Sequence, residues 1–106
     1  MPKPLFIWQD KTLIQINPEE IACLSTEKNY TRIFMTDDSH FMVRSTLSNA
    51  AKKLPPDMFI KIHRSYVVSL RHINSIFKDH VLVFSHPVPV ARQYYQSLLK
   101  RVSIIR

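Results

Sequence analysis

Residues 59–70 read Phe59-Ile60-Lys61-Ile62-His63-Arg64-Ser65-Tyr66-Val67-Val68-Ser69-Leu70. Apolar side chains recur there as a strand and then a turn, and four hydrogen-bonding side chains, His63, Arg64, Ser65 and Tyr66, are delivered together between them. Arginine is the side chain best shaped to bond O6 and N7 of guanine as a bidentate pair, and Ser and Tyr hydroxyls are common phosphate ligands. A plainer alternative turns His63 and Tyr66 toward the core with satisfied polar tips. A third alternative makes Ser65 a nucleophile activated by His63. It lacks accompaniment: no carboxylate occurs from Met58 to Lys78, and no glycine is available for a close-approach oxyanion loop.

Outward from this segment, most of the chain reads as short strands. Thr12 to Ile16, Ile21 to Thr26, Tyr30 to Met35, His40 to Val43, Ile73 to Phe77 and Val81 to Phe84 are β-branched or aromatic runs of strand length. A largely antiparallel β domain is expected. The chain has no glycine, so positive-φ turn positions should fall to Asn and Asp, as in Lys28-Asn29, Asp37-Asp38-Ser39 and Lys78-Asp79-His80. The last two look like tight hairpin turns.

Two helices interrupt the β pattern. Leu47, Ala50, Ala51 and Leu54 follow i, i+3, i+4, i+7 spacing, with Ser45 or Thr46 as N-cap and Pro55-Pro56 as the stop. Tyr95, Leu98, Leu99 and Val102 repeat that spacing, leaving Arg92, Gln93, Gln96, Lys100 and Arg101 on other faces. Both apolar stripes read as core.

A chain of 106 residues supports one modest hydrophobic core, so a single domain over residues 1–106 is expected, with its core at about 17–103. Residues 1–10 could be the remnant of a linker. Net charge is +7, and its distribution is uneven. Met1 to Asp57 holds seven Lys/Arg and seven Asp/Glu, whereas Met58 to Arg106 holds eight Lys/Arg against the single acid Asp79. Such asymmetry favours a polyanionic partner, because each Lys or Arg that meets a phosphate releases condensed counterions. A basic domain charged only for solubility is the rival reading.

Several function classes fall away. Without glycine, P-loops, dinucleotide fingerprints and the nucleophile elbow cannot form, since each needs positive φ or a backbone free of Cβ. No enzyme activity, catalytic residue or cofactor is expected. The five histidines (His40, His63, His72, His80, His86) show neither i, i+4 pairing nor a Cys-x-x-Cys companion, so no metal site is expected. Cys23 stands alone and reads as a buried thiol. No run approaches the roughly 18 apolar residues of a membrane span, and the first residues lack the features of a secretory signal. A cytoplasmic location is therefore expected.

Four segments in order carry a family resemblance. They are Ile21 to Tyr30, a strand ending in a short loop that closes on Asn29-Tyr30; Val43-Arg44-Ser45-Thr46-Leu47; Phe59 through His63-Arg64-Ser65-Tyr66-Val67-Val68; and Val88-Pro89-Val90-Ala91-Arg92-Gln93-Tyr94. Together they resemble the motifs of the LytTR-type DNA-binding domain, the output half of bacterial transcription regulators, over roughly Asn17 to Val102. Two departures stand out. Ala91 occupies a position where the family usually has serine, and Lys28 and Ser39 replace glycines common in its turns.

The resemblance implies a mainly β fold with two short helices, an elongated arrangement of small antiparallel β-sheets. Loops, not a recognition helix, would enter successive major grooves on one face of duplex DNA, with two copies on direct repeats. A major groove about 12 Å wide accepts a turn, and the sequence offers no helix-turn-helix pair with a basic recognition face. By motif position, Lys28, Asn29, Tyr30, Thr31, Arg64, Arg92 and Gln93 would read bases. Arg44, Lys61, His63, Ser65 and Lys100 would hold phosphates, and Ala91 cannot make any contact that the usual serine hydroxyl would supply. An upstream receiver or sensor domain is a further implied partner. Plainer readings leave Lys28 and Lys100 as solvated charges and pair Arg44 with Glu27 or Asp37. The competing function is a basic protein-interaction or ligand-sensing module. RNA binding is third, and the aromatics in strand-like runs argue against it.

Overall fold

The computed structural model describes residues 3–106. Among them, ten strands form three antiparallel sheets. Strands β1 (Leu5–Gln9) and β2 (Thr12–Ile16) make a two-stranded ribbon. The central sheet has the order β5-β4-β3-β7-β6. It contains β3 (Ile21–Glu27), β4 (Tyr30–Met35), β5 (His40–Val43), β6 (Phe59–His63) and β7 (Tyr66–Ser69). The third sheet holds β8 (Ile73–Ile76), β9 (His80–Val83) and β10 (His86–Pro89), in the order β10-β9-β8. Helix α1 (Leu47–Lys52) follows β5, and α2 (Arg92–Lys100) follows β10. The mainly β class with two short helices is thus the one the sequence suggested, and extents of 49 × 32 × 23 Å make the molecule elongated.

Strands β3, β6 and β7 carry apolar side chains on both faces. Their side chains alternate between two faces, and each face meets a separate core. Ile21, Leu24, Ile33, Phe59 and Val67 pack with Ile7, Ile16, Leu47 and Leu54 beneath the β1–β2 ribbon and α1. Ala22, Ile60, Ile62 and Val68 pack with Val81, Val83, Val88 and Leu98 beneath the third sheet and α2. A strand buried on both faces has no polar side to display, so Val67 and Val68 are adjacent in sequence yet belong to opposite cores.

Several expectations are corrected. In the stretch expected to be a linker remnant, Leu5–Gln9 forms β1, pairs with β2 residue for residue and buries Ile7; Met1 and Pro2 lie outside the described residues. Strand β8 stops at Ile76 and β9 starts at His80, so Phe77 and Phe84 leave their strands. Strand β10 lies outside the runs expected from the sequence, and its Pro87 and Pro89 oppose strand propensity. Both prolines are exposed and share one parity on an edge strand, where a missing N–H is tolerated and blunts further pairing. Positive φ occurs at Asp10, Lys28, Asp38 and Phe84. Asp38 follows the rule for a chain without glycine, but Lys28 takes the strained position instead of Asn29, and the 78–80 turn needs none.

Helix α1 takes Thr46 as its N-cap, the Oγ1 accepting from the Asn49 N–H at 3.1 Å. It ends at Lys52, earlier than Pro55 suggests, although Leu54 still reaches the core. Helix α2 buries Leu98 completely.

Candidate nucleic-acid interface

Strand direction puts four chain segments at one end of the central sheet. Glu27 pairs with Tyr30 to close the β3–β4 hairpin, leaving Lys28 and Asn29 as its two-residue tip. Lys28 has φ of 55°, which the first central position of such a tight hairpin favours and which a side chain tolerates at some cost. Val43 pairs with Thr31, so Arg44 leaves β5 at the same end. On the other flank His63 pairs with Tyr66, enclosing Arg64 and Ser65, and Ser25 pairs with Tyr66. The Thr26 N–H donates to the Ser65 carbonyl at 2.9 Å, which ties that turn to the hairpin's base.

The fourth segment arrives from the other layer. The Ala91 N–H donates to the Ile62 carbonyl at 2.9 Å, placing the first residues of α2, Arg92 and Gln93, beside the end of β6. Five strands spaced about 4.8 Å apart span about 19 Å from Arg44 to His63. Lys28, Asn29, Tyr30, Arg44, Arg64, Arg92 and Gln93 along this row are all exposed.

Local hydrogen bonds fix the turns. The Ser65 N–H donates to His63 Nδ1 at 3.1 Å, and the His63 and Tyr66 rings meet edge to face at 5.5 Å. With Nδ1 occupied as an acceptor, the neutral ring carries its proton on Nε2, a donor free to bond an anion. Glu27 pairs with Arg32 at 2.6 Å, a diagonal contact on one face of the hairpin. That hydrogen bond holds the Glu27 carboxyl below its ordinary value and raises the Arg32 guanidinium. The one acid of the hairpin tip is thereby neutralised within its own strands. Arg44, which could have paired with Glu27 or Asp37, makes no ion pair among the described residues.

At the start of α2, Ala91 has the extended backbone of an N-cap (φ −74°, ψ 147°) but no side-chain oxygen to bond the helix N–H groups. Arg92 follows at the positive end of the helix dipole, where a cation is unfavourable unless an anion sits nearby.

Three expected site residues are not part of this row. Thr31 is a correction: it is fully buried, and its hydroxyl donates to the Ser45 carbonyl at 2.9 Å, so it anchors the chain leaving β5 and cannot reach a base. Lys61 is half-buried in the middle of β6, opposite Val67. Lys100 closes α2 about 12 Å along the axis from Arg92 and suits the negative end of the dipole. Conversely, sequence reasoning did not single out Lys78. The Val90 N–H donates to the Asp79 carbonyl at 2.9 Å, which brings the exposed Lys78-Asp79 turn beside the approach to α2. The signal for it was the β9–β10 register, which sequence spacing alone leaves open.

Cationic turns and a helix start thus share one edge of a small β scaffold. Residues 11–103 match the family of LytTr DNA-binding domains, and the chain belongs to that family. It is 30% identical over 95 residues to the sensory transduction protein LytT of Enterococcus faecalis, covering 84% of this chain and 39% of that protein. It is also 30% identical over 105 residues to LytT of Bacillus subtilis, covering 89% and 41%. The chain thus spans about two fifths of the length of these curated relatives. The fold matches the solved LytTr DNA-binding domain of a Bacillus cereus protein with a TM-score of 0.78 over 92% of this chain and 94% of that one, at 21% identity. Among the described residues, no helix is long and apolar enough to cross a membrane.

Proposed function

We propose that this domain binds double-stranded DNA sequence-specifically in bacterial transcription regulation, as the DNA-contacting output of a sensed signal. The observation that carries the reading is the convergence of four segments distant in sequence on one exposed, cationic sheet end. In this reading Lys28, Asn29 and Tyr30 at the hairpin tip, Arg64 in its turn, and Arg92 with Gln93 contact base edges in the major groove. Arg44, His63 and Ser65 hold phosphates between them, with Lys61 and Lys100 as outer cationic flanks. A row of about 19 Å is wider than one major groove of about 12 Å, so its two flanks enter separate stretches of groove. Two copies sit on direct repeats, and an upstream receiver or sensor controls them.

Gel-shift titration at rising salt tests the proposal. Log affinity should fall linearly with log salt, by about 0.9 for each phosphate neutralised. A flat response would remove the electrostatic basis of the reading. Selection from a random duplex pool should recover one enriched element, repeated in the same orientation if two copies bind as proposed.

A further inference from the structure

The end of the central sheet opposite the cationic row carries a second, chemically different surface. A groove of about 1130 Å³ opens between the β1–β2 ribbon and the segment after α1. Phe6 and Pro55 contribute apolar lining, while Lys3, Lys52 and Lys53 border it, and Glu20 is the one acid lining it among the described residues. None of the three lysines makes an ion pair among the described residues. The apolar surface continues past the groove along the outer face of the ribbon. Phe6 is 48% exposed, Trp8 is 62% exposed, and Trp8 faces Leu13, itself 48% exposed, across the two strands.

We propose that this surface docks a protein segment that carries acidic side chains around one or two large apolar anchors. Charge decides the occupant. The apolar ribbon supplies aromatic anchors of the kind that dominate interface energetics, and the unpaired lysines beside it supply a complementary rim for carboxylates. A second copy of this chain is disfavoured, because a symmetric contact would set the same three lysines against each other on two molecules of net charge +7. Strand β3 runs seven residues from the groove end to the hairpin end, about 20 Å, so a segment anchored in the groove leaves the cationic row free; the far end of the ribbon lies nearer that row, the Gln9 Nε2 donating to the Met42 carbonyl at 3.0 Å, two residues before Arg44. The inference needs only the groove and ribbon, and it does not depend on the DNA reading.

Trp8 is the single tryptophan of the chain, so its fluorescence reports occupancy of the ribbon directly. The probe is a synthetic peptide of glutamates interspersed with leucine and phenylalanine. Its controls are the same peptide with lysine for glutamate and one with alanine for the apolar residues. The 106-residue chain is titrated with each, with and without duplex DNA. The acidic apolar peptide alone should shift Trp8 emission to shorter wavelength, and DNA should leave its midpoint unchanged. Lys52→Glu combined with Lys53→Glu should weaken it about tenfold or more, whereas Lys100→Glu should not. Phe6→Ser, at an exposed position, should weaken it without loss of fold by circular dichroism. An equal shift with the lysine peptide, a response unaffected by the Lys52/Lys53 reversal, competition by DNA, or no shift with any peptide overturns the proposal. A shift produced by anionic vesicles but not by the peptide also overturns it, in favour of a lipid surface.

Discussion

Arg64 occupies a turn whose backbone is fixed on both sides, by the His63–Tyr66 pair and by the Thr26 N–H bond to Ser65. Little backbone freedom remains to be lost on binding, so ordering the turn opposes base reading less than it would for an arginine on a mobile loop. Arg64→Ala is expected to cost about 1–3 kcal/mol at the selected site and to relax preference at one base pair. Equal losses on selected and random DNA in a gel shift would make Arg64 a phosphate clamp instead. Glu27 answers a different question, whether its charge disturbs the hairpin tip. Its folded pKa lies below the ordinary 4.5 because Arg32 hydrogen-bonds the ionised form. The support this pair lends the hairpin is therefore present above the unfolded value and is lost as pH falls through the lower folded one. Carboxyl NMR should show Glu27 titrating below 4.5, and Arg32→Ala should return it to the ordinary range.

Among the elements, α2 is the one whose local sequence disagrees with its role. Its N-cap position has the right backbone but holds Ala91, and its first turn begins with a cation. Ala91→Ser restores an acceptor for the N-terminal N–H groups without changing the backbone, and should stabilise the domain by about 1 kcal/mol in urea unfolding. Several strand boundaries, by contrast, were legible. Thr12–Ile16, Tyr30–Met35 and His40–Val43 follow from β-branched or aromatic runs between polar turns. β10 was not, because Pro87 and Pro89 oppose strand propensity and only the exposed edge makes them compatible.

At the scale of the whole molecule, one sheet serves two cores, so neither layer has a hydrophobic interior of its own. Val68 is fully buried in the core beneath α2, one residue from Val67 in the other. Val68→Ala should cost about 2–3 kcal/mol through lost burial and a cavity, and lower Tm by about 10 °C. Because β7 belongs to both cores, near- and far-UV circular dichroism should follow a single transition in this variant. Two separated transitions would mean that the layers fold independently.

What the sequence alone determined was local: the strand runs, the two apolar helical stripes, a helix cap at Ser45 or Thr46 and the order of motifs that resembles the family. Each rests on side-chain periodicity and turn chemistry, which act over a few residues. What only the tertiary structure decided was which turns share an edge and which side chains face outward. Thr31 looked like part of a binding loop until register placed it under Ser45, and Lys78 looked like an ordinary turn residue until Asp79 met Val90. Pairing between strands brings together residues tens of positions apart, and the pattern along one strand carries no record of its neighbours' alignment.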